Sequence, residues 1–250
     1  MSDTRVAVIA ACGKGLGEAI ARNLHAHGHS LVMMGRSEGV ESLAQELGGI
    51  AVRGDVGKTE DLQNLVDAAM KAHGRIDAVM NNTGHVRGGG NTPASAPVYS
   101  ADAGGDLLEV SDEDWMSGLN YILLNVIRMS RIVTPVLEKQ GSGAILNMSS
   151  FAHREPAPAF PVGACLRMAL GGFTKMYADK YARAGIRMNC ILPGFIENYP
   201  LSDEIRERVP LGRSGTLEEV GETASFLLSD AAGYITGQSI LVDGGMNRGV

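Results

Sequence analysis

Cysteine is scarce in this 250-residue chain: Cys12, Cys165 and Cys190 are too few and too scattered for a disulfide framework or a zinc site, so no metal centre is expected. No stretch approaches the roughly 18 uninterrupted apolar residues of a membrane-spanning helix. The first residues, Met1-Ser2-Asp3-Thr4-Arg5, lead into a short apolar run without the basic flank and cleavage site of a secretory signal, so a cytoplasmic protein is expected. Basic residues are outnumbered, 22 against 28, for a net charge of −6. That balance argues against a duplex-binding surface and leaves room for a local basic pocket around a small anion. Aromatics reach only 5%, whereas glycine is abundant at 33 residues. The combination suits a fold of tight strand-to-helix turns and close helix-to-sheet packing. With 44% hydrophobic and 20% charged residues, the chain can bury one full core.

Short, nearly all-apolar runs at 6–11, 30–35, 50–52, 76–80, 144–148, 186–191 and 239–242 read as strands buried on both faces. Helical stripes lie between them. Leu16, Ala19, Ile20, Asn23 and Leu24 share one face, and Leu62, Leu65, Val66, Ala69 and Met70 share another. Ser111 with Asp114 predicts a helix start running on to about Gln140; a further helix is expected over 163–183, and Thr216-Leu-Glu-Glu219 is a capping-box start. Strands alternating with helices imply one α/β domain, 1–250, with a parallel sheet covered on both faces. The connection 85–110, with five glycines and two prolines, is long enough to be read as an insertion or lid.

The segment Ala10-Ala11-Cys12-Gly13-Lys14-Gly15-Leu16-Gly17 falls at the first strand-to-helix junction. Glycines there let backbone N–H groups approach a pyrophosphate, which the helix N-terminus favours. At the end of the second strand an acid would bind a ribose 2′-hydroxyl and an Arg would accommodate a 2′-phosphate. This chain has Gly35-Arg36-Ser37 there, and Lys14 adds a cation, so NADP(H) is expected over NAD(H).

On these residues the chain resembles the short-chain dehydrogenase/reductase family over nearly its whole length. The Gly-rich turn is similar to the family's Thr-Gly-x-x-x-Gly-x-Gly, with Ala10 and Ala11 where Thr and Gly are usual. Asp55-Val56, Asn81-Asn82-Thr83-Gly84, Pro193-Gly194 and Asp243-Gly244-Gly245 match further family motifs in order. The resemblance implies a three-layer, doubly wound Rossmann fold with a seven-stranded parallel sheet, and residues 195–215 as the substrate lobe. Together the two readings place cofactor contacts at Gly13, Lys14, Gly15, Leu16, Gly17, Arg36, Asp55, Val56, Asn82, Thr83, Gly84, Arg167, Pro193 and Gly194.

Family members that transfer hydride use a Ser, a Tyr-x-x-x-Lys pair and a helical Asn. Register with the family places the Ser at Ser150 but the Tyr at Gly163, the Lys at Arg167 and the Asn at Ile122. Asn125, three residues beyond Ile122, shares its face and is the candidate substitute. Gly163 has no proton to give, and a guanidinium is a poor proton shuttle, although Arg167 can still bind a ribose, a phosphate or a carboxylate. His153, Glu155 and Tyr99 are candidate replacement donors. The expectation is an NADP(H)-dependent oxidoreductase of a small carbonyl or alcohol with a remodelled catalytic site. The alternatives are a non-redox cofactor-binding or regulatory protein, or a non-redox lyase. The expected partners are a small-molecule substrate and a second copy of the chain, as homodimer or homotetramer, without nucleic acid or membrane.

Overall fold

The computed structural model describes residues 4–83, 107–158, 160–198 and 202–249. Gly84, Tyr99 and most of the 85–110 connection lie outside these residues, as do Tyr199 and Pro200. Seven strands form one parallel sheet: β1 (Val6–Ala10), β2 (Ser30–Gly35), β3 (Ile50–Arg53), β4 (Ala78–Asn81), β5 (Gly143–Met148), β6 (Ile186–Pro193) and β7 (Ser239–Val242). Their order is β3-β2-β1-β4-β5-β6-β7, and every neighbouring pair is parallel. The chain winds outward from β1 in one direction, then returns to start β4 on its other side. That reversal opens a crevice at the carboxyl ends of β1 and β4.

Helices α1 (Gly15–Ala26), α2 (Gly39–Leu47) and α8 (Leu217–Leu228) cover one face, packing Ile20, Leu24, Val40 and Val220 against Ile9 and Met33 of the sheet. Helices α3 (Thr59–His73), α5 (Asn125–Gln140) and α6 (Pro161–Tyr181) cover the other, packing Leu65, Met129, Val133 and Tyr177 against Val8 and Val79. Residues of β1 and β4 are buried throughout because each face meets a helix layer, whereas the edge strands β3 and β7, expected to be buried on both faces, are only partly buried.

Four local expectations need correction. The helix expected from Ser111 to about Gln140 is α4 (Asp112–Gly118), a π-helical turn over Leu119–Leu124, and α5. α5 packs on α3, whereas α4 and the π turn pack on α6, so the two helices answer to different partners. The strand expected at 76–80 starts two residues later, because Ile76 gives its N–H and C=O to the side-chain amide of Gln140. α6 begins at Pro161 rather than 163; a proline lacks only an N–H that the first helical position leaves unbonded. α2 was not expected, although Val40, Leu43, Ala44 and Leu47 have helical spacing and the first three are buried. The two caps agree with expectation: Ser111 accepts from Asp114 N–H, and Thr216 and Glu219 close a reciprocal capping box.

A short helix, α7 (Asp203–Arg208), carries the charged segment of 195–215, and that stretch is pinned at both ends by a parallel bridge between Ile196 and Gly215. No helix among the described residues is long and apolar enough to cross a membrane.

Candidate functional site

The Gly-rich turn sits in the crevice. Cys12 N–H donates to Met34 O at 2.7 Å, tying the turn to β2, and Asn82 N–H donates to Ala10 O at 3.2 Å. The Asn82 side chain reaches back to donate to Ala11 O at 2.8 Å. Ala11 has φ +61°, the single positive φ outside glycine among the described residues. Gly17 must stay bare: a Cβ there would lie 2.6 Å from both Ala11 O and Asn82 Nδ2.

α1 opens at Gly15 with Lys14 as its N-cap, and no side chain caps it, so the first-turn N–H groups face the crevice unbonded by a cap. Glu18 in that turn would oppose an anion, but Arg22 pairs with it at 2.8 Å and with Glu46 at 2.6 Å. Among the described residues a Cβ on Gly15 would meet only Asn198 Nδ2, 3.7 Å away, so they leave open volume over the turn. The Cys12 thiol is buried, donates to Gly17 O and is pushed up by burial to about 12, which makes it a packing group rather than a nucleophile.

At the outer end, no carboxylate stands at Gly35, and the Arg36 side chain is 70% exposed with a guanidinium nitrogen 3.9 Å from Asp55 Oδ2. Lys14 is also exposed. Asp55 is held by its own loop: its N–H donates to Asp61, and its Oδ1 accepts from Gly57 N–H at 2.8 Å. Val56, Thr83 and Pro193 are buried, and Gly194 N–H donates to Val242 O. The Thr83 hydroxyl has no partner among the described residues. An uncapped helix start, open space over Gly15 and an orphaned hydroxyl at the end of β4 fit a dinucleotide bound along the crevice.

Ser150 follows β5 in extended backbone, half-buried, with no side-chain hydrogen bond among the described residues. Gly163 and Arg167 lie one turn apart on α6 and therefore share a face. Gly163 has no positive φ, and among the described residues a Cβ there would meet only Phe160 Cβ at 4.0 Å. Arg167 is 8% exposed. Ile122 is buried in the π turn, and Asn125 is buried at the start of α5 with its Oδ1 unpartnered among the described residues. His153 turns inward. Its Nδ1 lies 3.2 Å from Ser149 Oγ, its Nε2 lies 3.3 Å from Ser239 Oγ, and the ring fills the space over Gly171. Burial, with Arg154 and Arg167 nearby, holds its imidazole below the ordinary range. Glu155 is exposed.

Beneath this face a buried thread of hydrogen bonds joins four elements. Asn81 donates to Asn147 at 2.8 Å, Asn147 donates to Thr174 at 3.0 Å, and Thr174 lies 3.2 Å from the Cys190 thiol. It locks β4, β5, β6 and α6 in mutual register. Tyr177 and Tyr181 are packing residues; Tyr177 is buried, shares a hydrogen bond with Thr134 and is pushed up to about 12. Two residues escaped sequence reasoning. Asn198, an amide four residues past Gly194, reaches the Gly-rich turn, and Tyr121 lies against Asp55. Only the polarity of Asn198 so soon after Pro193-Gly194 signalled the first; nothing local signalled the second. Among the described residues, His, Cys, Asp and Glu form no cluster of three able to hold a metal.

The model of a family described as enoyl-(acyl carrier protein) reductase matches residues 10–247. The chain is 32% identical to the oxidoreductase UcpA of Salmonella typhimurium over 96% of its length and 94% of that protein's. It is 32% identical to the human dehydrogenase/reductase SDR family member 4, over 96% and 87%. It is 31% identical to the 3-oxoacyl-[acyl-carrier-protein] reductase FabG of Thermotoga maritima, over 97% of each. A crystal structure of the 3-ketoacyl-(acyl-carrier-protein) reductase of Brucella melitensis, complexed with NADH, superposes with a TM-score of 0.86 at 27% identity, covering 97% of this chain and 98% of that one. Seven parallel strands in this order, a Gly-rich turn at the first junction and matches along the whole length lead to one assignment: the chain belongs to the short-chain dehydrogenase/reductase family of oxidoreductases.

Proposed function

We propose that the protein is an NADP(H)-dependent oxidoreductase of a small carbonyl or alcohol, with a proton-transfer site remodelled at residues 122, 163 and 167. One observation carries the reading. The uncapped N-terminus of α1 lies in the crevice, with Lys14 and Arg36 exposed beside it and no carboxylate at Gly35. The helix start seats a pyrophosphate, Arg36 and Lys14 receive a 2′-phosphate, and Asp55 faces the adenine. When bound, the nicotinamide group supplies or accepts a hydride. Ser150, whose hydroxyl is uncommitted, donates a hydrogen bond to the substrate oxygen. Arg167 keeps its proton and binds rather than shuttles. With no side chain at Gly163, the proton comes from water; His153, which burial keeps neutral, can only relay it, taking a proton at one ring nitrogen as the other releases one. Phe151 and Phe195, with ring centroids 5.3 Å apart, form an apolar wall next in the chain to Ser150, where the segment assigned to the substrate lobe begins. Exposed Met116, Met168 and Met176 on α4 and α6 support a homo-oligomer, which light scattering would test.

Thermal stabilisation by each cofactor tests the reading without requiring turnover. A ligand at about 100 times its dissociation constant adds roughly 2.7 kcal/mol. NADPH should raise the melting temperature more than NADH at equal concentration, and a carbonyl panel should then draw oxidation of NADPH. Equal shifts would overturn the NADP(H) assignment. A second reading, a non-redox cofactor-binding or regulatory protein, draws on the open space where a side chain at 163 would stand. It predicts an NADPH shift with no oxidation by any carbonyl tried.

A further inference from the structure

Tyr121 stands on the π turn, on a different strand-to-helix connection from the loop 55–57 that it touches. Its hydroxyl donates to Asp55 Oδ2 at 3.3 Å. The contact is not a grazing one. A Cβ on Gly57 would come within 2.7 Å of Asn120 Nδ2 and 3.0 Å of the Tyr121 ring, so the loop and the π turn are in close contact and a larger residue at 57 would push the Asn120 amide aside. Arg128, further along the same helix, donates to Gly57 O at 3.2 Å and to the Asn120 side chain, closing the clasp from the other side.

The carboxylate of Asp55 is thereby oriented atom by atom. Oδ1 is committed to Gly57 N–H at 2.8 Å. Oδ2 accepts from Tyr121 and retains one acceptor direction, with Arg36 at 3.9 Å on its outer side. Burial and the adjacent carboxylate raise the Tyr121 phenol above its ordinary value, so it remains a donor across the physiological range. An acceptor with a single fixed free lone pair suits a donor and rejects another acceptor. The exocyclic amino group of adenine is such a donor. The 6-oxo group of hypoxanthine, at the same place on the ring, is not.

We propose that Tyr121 is a specificity-determining residue for the purine base of the dinucleotide: by holding Asp55 it makes the pocket select a 6-amino over a 6-oxo purine. The proposal rests on the reading of Asp55 as the adenine contact given above. Tyr121 acts through Asp55 and is a positioning residue.

The test compares dissociation constants for NADPH and for its reduced hypoxanthine counterpart, by fluorescence titration of the wild type, Tyr121→Phe and Asp55→Asn. An acceptor left facing an acceptor costs enough that the wild type should prefer the adenine form by about tenfold or more. Tyr121→Phe should reduce that ratio to about threefold or less, chiefly by weakening the adenine form. A variant that is merely loosened loses both ligands together and keeps the ratio, which would overturn the proposal. An undiminished preference in Tyr121→Phe, alongside its loss in Asp55→Asn, would overturn the role of Tyr121 and leave the reading of Asp55 standing. Equal affinity of the wild type for both forms would overturn both.

Discussion

Installing a tyrosine at position 163 asks whether the site lacks only its proton donor. Gly163 is helical, and among the described residues a Cβ there meets nothing closer than Phe160 Cβ at 4.0 Å, so the new side chain starts in ordinary contact. Replacing glycine inside a helix gains about 0.5 kcal/mol of propensity. Arg167→Lys, one turn on, keeps the cation in its buried seat but gives up the guanidinium fork. Ile122→Asn, which would complete the family's set, is different, because Ile122 is 1% exposed. Removing its side chain forfeits about 1.5–3 kcal/mol of burial, and an amide left without partners adds about 1–3 kcal/mol. At about 2–4 °C per kcal/mol for a chain of this size, the triple variant should melt roughly 10 °C lower, whereas the Gly163→Tyr/Arg167→Lys double should melt near the wild type. A positioned general acid is worth about 10²–10⁴ in rate. The double variant should therefore oxidise NADPH with small ketones at least a hundredfold faster in single-turnover absorbance measurements, and Ser150→Ala in that background should abolish the gain. A double variant that folds and binds NADPH yet gains nothing, or whose gain survives without Ser150, would refute the placement of the site.

Ala11→Gly should stabilise the protein: the left-handed backbone costs an alanine about 1–2 kcal/mol, of which glycine's extra freedom when unfolded returns about 0.5–1, so calorimetry should show a melting point a few degrees higher, and a drop would mean the methyl is needed for packing. Arg36→Ala should erase most of the difference between NADPH and NADH shifts, about ten- to a hundredfold in affinity, while leaving NADH nearly untouched; equal losses for both cofactors would place Arg36 elsewhere on the ligand. Burial holds the imidazoles of His29 and His153 below the ordinary value, so each folded pKa lies under its unfolded one near 6.5. The unfolded chain then binds more protons in that window, and stability should be complete above about pH 7 and fall on acidification through the window below about 6.5. Urea denaturation between pH 5 and 8 measures it, and a profile that rises towards acid would contradict the burial seen at both rings.

The sheet was legible because its strands carry their signal in the chain itself. Val6-Ala-Val-Ile-Ala10 is apolar on both faces, as only a doubly covered strand needs to be, and the Gly-rich turn follows it directly. The caps at Ser111 and Thr216 were legible for the same reason, each being a bond between residues three apart. The π turn was not, since a phase change inside a helix depends on what α4 and α5 each pack against. Nor was the inward turn of His153, decided by Ser149, by Ser239 on the last strand and by the space over Gly171. Tyr121 belongs to the same class: its partner Asp55 lies 66 residues away.

The π turn also bears on how the chain tolerates changes in length. A π turn is one α-helical turn holding an extra residue, and each α-helical residue advances the helix by about 100°. Deleting one residue from 119–124 would thus allow a regular helix to form, with α4 and α5 keeping nearly the phase they have now. Gly118, where even a Cβ would come within 2.2 Å of Val162, would stay against α6, whereas Asn120 and Tyr121, which the widened turn itself presents, would leave Gly57. Shortening here should therefore undo the clasp on loop 55–57 and spare the packing of α4 on α6, whereas inserting a further residue would rotate α4 by about 100° against α5 and lose both.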